Sequence, residues 1–305
     1  MLLLTVVVIL ATRWGAITAS QPAYLVTLLV VAAATIVATL WALIDPGWPR
    51  HRDRERSVVR VVASRVLGMA ATGALVLVLV WLRPLPATEV AVAAMSGGPT
   101  VRVVDTSSQI ELDPTTRAAA TGLIFFPGAL VDPRAYVPLL SSIAAHGFPV
   151  FVVKPPYGIA FLAAGAPSAV VTGHPSVTRW VVGGHSLGGV VASGYAAGGH
   201  PRVDGLLLWA SYPNGSIASA TSLLVTSVSA GNDGLATPAK IEASKPDLPP
   251  GTRFVTVEGA VHADFGDYGT QRGDGTPTIR RSEAQRQIEA ASLALMERVA
   301  TRARS

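Results

Sequence analysis

Gly184-His185-Ser186-Leu187-Gly188 decides how this chain is read. Upstream lies Arg179-Trp180-Val181-Val182-Gly183, a short apolar run that reads as a buried strand. Downstream, Gly189-Val190-Val191-Ala192-Ser193-Gly194-Tyr195-Ala196-Ala197 offers small apolar residues suited to a tightly packed helix. Strand, sharp turn and helix around G-x-S-x-G are the setting of a nucleophile elbow, which pushes a serine hydroxyl into open space. Glycine at 184 and 188 is expected because side chains there collide where helix and strand pass closest. The bland alternative is a glycine-rich turn with an ordinary serine.

A serine of this kind needs a histidine base and a carboxylate. In sites built on such an elbow, the acid and then the histidine follow the serine along the chain. The chain has six histidines. His51 lies in an arginine-rich loop, His146 and His200 read as helix-end residues, and His174 precedes Pro175. His185 adjoins the serine, but neighbours on a sharp turn point apart. His262 remains. It follows an alternating strand, Arg253-Phe254-Val255-Thr256-Val257, and the loop Glu258-Gly259-Ala260-Val261. Loops at the carboxyl ends of parallel strands are where ligands bind in open α/β sheets. An ordinary surface histidine is the competing reading.

The acid is expected at the end of the preceding strand. Leu223 to Ala230 forms that strand, Gly231-Asn232-Asp233-Gly234 closes it, and Asp233 is the candidate. Asn-Asp-Gly is also strong turn chemistry by itself, and a turn can present the carboxylate too. Asp204 begins its strand and so lies at the wrong end of the sheet. Asp264 and Asp267 follow His262 too closely, and Glu258 stays open as an alternative. An oxyanion hole needs two backbone N–H groups aimed at developing charge. Leu187 supplies one. The loop Pro127-Gly128-Ala129-Leu130, after the strand Gly122–Phe126, supplies the other, with Ala129 first and Leu130 next. Asp132-Pro133 then reads as an N-cap followed by proline at the first helical position.

On Phe126-Pro127-Gly128-Ala129, Gly184-His185-Ser186-Leu187-Gly188-Gly189 and the late Asp233 and His262, the chain resembles the α/β-hydrolase superfamily. The resemblance runs roughly from Gly122 to Arg302 and is strongest to small lidless members of the dienelactone-hydrolase-like kind. It implies an esterase-like or related acyl hydrolase working through Ser186, Asp233 and His262, with no metal or organic cofactor. Two departures accompany it. Pro127-Gly128 stands where many members have His-Gly. Dienelactone hydrolases use a cysteine nucleophile, and this chain has no cysteine, so their substrate is not carried over.

Alternating strands and helices predict a mostly parallel central sheet covered by helices on both faces. Strands are expected at 100–105, 109–113, 122–127, 149–154, 180–185, 205–210, 222–230 and 252–258. Helices are expected near 133–146, 187–198, 237–245 and 279–302. No connection is long enough for a large lid, and Ser211 to Thr221 stays short where lids are often inserted, so the serine should be open. Tyr157, Tyr212 and Tyr268 are candidate substrate-binding residues, with packing at loop bases as the alternative. Gly266 to Gly275 reads as a flexible rim beside His262.

The first third of the chain is different material. Tyr24 to Ile44 carries no charge and is long enough to cross a bilayer core. Val66 to Leu82 is a second expected span. Met1 to Thr12 is a third apolar run, ending near Ala19 if it spans. A cleaved signal peptide fits less well, because no basic segment precedes the apolar run. These features predict a membrane anchor over residues 1–84, a linker over 85–99 and a hydrolase domain over 100–305. Arg50, Arg52, Arg54 and Arg56, between the two clear spans, should stay cytoplasmic. That puts the hydrolase domain on the extracytoplasmic side, with Arg13 counting mildly against it.

The net charge of +5 comes partly from that loop and partly from Arg280, Arg281, Arg286, Arg298, Arg302 and Arg304 near the end. No nucleic-acid motif accompanies them, and a solvated helix face is the reading, with anionic lipid contact as a minor alternative. The expected partners are a small-molecule or lipid ester and the bilayer. Two rival readings remain. One is acyl transfer to a lipid or sugar hydroxyl through the same triad. The other is a non-catalytic binding protein on a hydrolase scaffold.

Overall fold

The computed structural model describes residues 1–44, 58–116 and 118–302. The arginine loop 49–56, on which the orientation reading rests, lies outside the described residues, as do His51 and Arg304. The chain divides into a helical unit, Met1–Thr18 with Pro22–Pro84, and a second unit made of Ala19–Gln21 and the chain from Leu85 onward.

The first unit holds α1 (Leu2–Ala19), α2 (Ala23–Ile44) and α3 (Val58–Trp81). All three are long and apolar enough to cross a membrane, so the N-terminal run forms a full helix. Large apolar side chains such as Leu29, Val37, Leu67 and Leu77 are exposed on them. The buried Tyr24 hydroxyl donates to the Leu79 carbonyl oxygen at 2.6 Å, tying α2 to α3.

The second unit is an eight-stranded sheet: β1 (Val101–Asp105), β2 (Gln109–Pro114), β3 (Thr121–Phe126), β4 (Val150–Val153), β5 (Arg179–His185), β6 (Val203–Trp209), β7 (Leu224–Ala230) and β8 (Arg253–Val257). Its order is β1-β2-β4-β3-β5-β6-β7-β8. The first two strands pair antiparallel and the rest run parallel. All eight expected strands are present. They read clearly because a strand buried on both faces is a nearly continuous apolar run. The two-residue alternation then sorts side chains into two cores. Leu123, Phe125, Val181, Leu207 and Trp209 face one side. Ile124, Phe126, Val182, Leu206 and Leu208 face the other.

The first face is covered by α5 (Val137–Ala145) and α9 (Arg281–Thr301), through Ile143, Ile288 and Leu295. Trp209 Nε1 donates to Ser292 Oγ at 2.9 Å, fixing α9 on the sheet. The second face is covered by α6 (Ala166–Gly173) and α7 (Leu187–Ala197), through Val170, Val171, Val191 and Ala192. A further helix, α8 (Pro238–Ser244), follows β7. The sequence reading has no counterpart for α6. The stretch read as a linker contains α4 (Glu89–Ala94), capped by Thr88 Oγ1 on Ala91 N, with Ala91 fully buried. Arg281, read as part of a solvated face, instead reaches back to the Gly269 carbonyl at 2.9 Å and to Asp264 at 3.4 Å.

Strand order sets up the site. β3 and β5 are neighbours, so the loop after β3 lies beside the turn after β5. β7 and β8 are neighbours, so the turns that follow them meet.

Candidate active site

Ser186 links β5 to α7 with φ 52° and ψ −123°, a backbone region costly for a side-chain-bearing residue. Hydrogen bonds hold it there. Its N–H donates to the Trp209 carbonyl at 2.9 Å, and its carbonyl accepts from Gly189 N at 3.0 Å and Ser211 Oγ at 2.7 Å. A Cβ on Gly184 would run into the Gly188 backbone. One on Gly188 would run into the Phe126 and Pro127 carbonyl oxygens. Gly188 is therefore required by the loop after β3, whereas Gly184 is required by the strand-to-helix approach.

His262 opens a single helical turn, His262–Phe265, after β8. Its Nδ1 lies 2.8 Å from Asp233 Oδ2, and both side chains are buried. Nδ1–H donates in this pair, because the carboxylate can only accept. Asp233 Oδ1 accepts from Leu235 N at 2.7 Å and Ala236 N at 2.8 Å. Both oxygens of the acid are thus held by hydrogen bonds. His262 Nε2 is buried and has no hydrogen-bond partner among the described residues. Ser186 and His262 make no direct hydrogen bond here, a separation common before substrate arrives. The His262 ring centroid lies 4.5 Å from that of His185, which brings the base up to the elbow. Of the alternative acids, Glu258 is exposed and Asp264 Oδ2 accepts from Val261 N at 3.0 Å.

The amides of Leu187 and Ala129 donate no hydrogen bond to any described residue, while Leu130 N is committed to the Gly158 carbonyl at 2.9 Å. Behind Ala129, Gly128 N donates to the Tyr136 hydroxyl at 2.8 Å. That hydroxyl lies 2.9 Å from His185 Nδ1. The hydroxyl thus bridges the Gly128 amide and the His185 ring. Burial, aided by the neighbouring charge of His262, holds the His185 pKa well below its usual value. Burial likewise pushes the Tyr136 phenol up. A Cβ on Gly128 would sit 2.8 Å from His185 Nδ1, which accounts for the glycine after Pro127.

Asp132 caps the turn Pro133–Tyr136 through Arg134 N at 3.0 Å, as its pairing with Pro133 predicts.

The segment Gly266–Gly275, expected to be a flexible rim, is bound to both turns. Asp274 Oδ1 accepts from His262 N at 3.1 Å and Gly234 N at 3.2 Å. Asp274 Oδ2 accepts from Ala263 N at 2.8 Å. One carboxylate thus clamps the Asp233 turn to the His262 turn. Nothing local in the sequence signals this role, or that of Tyr136, since each joins segments that the fold brings together.

Ser186 opens into a cavity of about 350 Å³ lined by Leu187, Ala129, Val190, Leu235 and Tyr212. Tyr212 is the one of the three candidate tyrosines that lines it. Tyr268 is buried, its hydroxyl donating to Gln271 Oε1 at 2.9 Å. Tyr157 sits with φ 55° on the turn Pro156–Gly158, whose Gly158 packs on Leu130. No group of side chains suited to a metal ion occurs among the described residues.

The solved structures similar to this chain include an esterase from Thermogutta terrifontis with butyrate bound. Identity is 16%, with 65% of this chain and 94% of that one covered and a TM-score of 0.44. The same esterase phosphorylated by paraoxon matches at 16% identity, 65% and 94% coverage and 0.44. A predicted CIB-like hydrolase from Thermoplasma acidophilum matches at 17% identity, 64% and 97% coverage and 0.46. No curated protein matches the chain. The sequence model of the Alpha/beta hydrolase family matches residues 122–287, which spans β3 to the first part of α9 and contains the elbow, the Asp233 turn and the His262 turn. That match covers more than half of the 305 residues, and the chain belongs to the alpha/beta hydrolase family.

Proposed function

We propose that this protein is a membrane-anchored serine hydrolase that cleaves an ester or related acyl bond. The observation that carries the reading is the buried His262–Asp233 pair, which leaves Nε2 without a partner among the described residues, on a ring packed 4.5 Å from that of His185, the residue before the strained Ser186. His262 Nε2 takes the Ser186 hydroxyl proton as Oγ bonds to the acyl carbon. The carbonyl oxygen becomes an oxyanion held by the Leu187 and Ala129 amides. The bond to the leaving oxygen breaks as Nε2 returns the proton to it. Water, activated by the same nitrogen, then releases the acid and restores Ser186. Asp233 keeps the imidazole in the Nδ1–H tautomer and offsets its charge. Every catalytic group in this cycle belongs to the chain.

The anchor is read from α1, α2 and α3, with the hydrolase unit on the extracytoplasmic side. The test is turnover of a chromogenic short-chain ester by the detergent-solubilised protein. Wild type should turn over, and Ser186→Ala should fall to the background rate. Equal rates in both would overturn the reading.

A further inference from the structure

A second cavity of about 560 Å³ lies beside the serine cavity, within the size range of ligand pockets. Val190 lines both, so the two lie on either side of this residue at the first turn of α7. From there the second cavity follows α7 to Gly194 and Tyr195, with Phe161 and Gly165 on the opposite wall and Ile217 at its side. Its walls are mostly apolar, and no ionisable carboxylate, lysine or arginine lines it. Phe161 is 54% exposed and the adjacent Leu162 56%, so large apolar side chains stand in solvent beside it.

Gly165 and Gly194 keep this groove open from its two walls. A Cβ at either would meet nothing within 4 Å, and neither has a positive φ. Glycine inside a helix costs stability relative to alanine. Gly194 lies in the body of α7, so backbone conformation does not require it.

Resting on the serine-hydrolase reading of Ser186, we propose that this groove is the acyl-chain subsite, and that the substrates are esters of medium-length linear fatty acids. The carbonyl sits at Ser186 and the alkyl chain passes Val190 to lie along α7. Burial of each added methylene favours the longer chain.

The experiment uses the full chain in lipid nanodiscs, with p-nitrophenyl acetate and p-nitrophenyl octanoate. Wild type should favour octanoate in kcat/KM by about tenfold or more, an advantage the burial of several methylenes readily supplies. Gly194→Leu fills the groove with a good helix former. It should lose that preference through a raised KM for octanoate, with acetate turnover unchanged. A diazirine-bearing octanoic acid gives a second readout, independent of turnover. It should label peptides containing Phe161 or Val190 in wild type, and Gly194→Leu should abolish that labelling. An unchanged octanoate-to-acetate ratio in Gly194→Leu would overturn the subsite, as would photolabelling that the variant leaves intact. Groove labelling without hydrolysis of either ester would keep the subsite and overturn the serine-hydrolase reading instead.

Discussion

His262 Nδ1 and Asp233 Oδ2, 29 residues apart in the chain, face each other at 2.8 Å in a fully buried pair. The pairing follows from topology. β7 and β8 are adjacent and parallel, so the turns that leave them emerge side by side. The Asp233 carboxylate makes three hydrogen bonds, which fixes its direction before any substrate arrives.

The glycines of α7 and its entry separate sharply by what surrounds them. Gly188→Ala pushes a methyl group into the Phe126 and Pro127 carbonyls and must displace the loop that carries Ala129. Ester turnover should fall about a hundredfold or more, the scale of losing one oxyanion donor. Gly194→Ala meets open space and should leave short-chain turnover unchanged, with stability higher by about 0.5–1 kcal/mol. Parallel kinetics and thermal melts of the two variants check both statements.

Tyr136→Phe removes the acceptor of Gly128 N and the hydroxyl bonded to His185 Nδ1. Leaving a buried amide unsatisfied costs about 1–3 kcal/mol. Turnover should fall with it, because Gly128 precedes the proposed donor Ala129.

His185 adds a pH signature to the same network. Its folded pKa is depressed below the usual 6.5, so below that pH the unfolded chain binds a proton the folded one refuses. Stability is therefore present above 6.5 and lost as pH falls below it. His185→Asn should flatten that slope by close to one proton in denaturant titrations at stepped pH.

Asp274→Ala unfastens the His262 turn from the Asp233 turn while leaving both side chains in place. The expected result is a fall in kcat of about tenfold, in line with a small misplacement of catalytic groups. KM for a short ester should barely move. Asp274→Asn retains acceptor capacity on one oxygen and should recover part of the rate.

The chain has no cysteine, so one introduced at the exposed Ser107 is the sole thiol for a membrane-impermeant maleimide. With the hydrolase unit outside the cytoplasm, Ser107→Cys should label in intact cells. Labelling only after lysis would reverse the orientation.

Much of this was legible in the chain because the information was local. The central parallel strands are short and largely apolar, Arg253–Val257 alternates, and Ser186, Asp233 and His262 each follow a strand end in turn chemistry. α4 and α6 escaped because they are short, alanine-rich and without a polar–apolar period. Tyr136 and Asp274 escaped for another reason. Each has a partner far along the chain, His185 at 49 residues and Gly234 at 40, and only the assembled sheet brings them together. The glycines from Gly266 to Gly275 read as looseness, whereas Asp274 binds this rim to both turns. Two glycines, Gly234 and Gly275, are places where this rim and the Asp233 turn pass too close for any Cβ.

The central claim is that Ser186 is an activated nucleophile, and fluorophosphonate labelling tests it most directly. The detergent-solubilised wild type should label covalently, and Ser186→Ala and His262→Ala should not. Asp233→Asn keeps its place but favours the wrong imidazole tautomer, a change worth about 10⁴ in rate in the trypsin example. It should label far more slowly than wild type. Folded wild-type protein that takes up no label, or a Ser186→Ala variant that labels like wild type, would contradict the account.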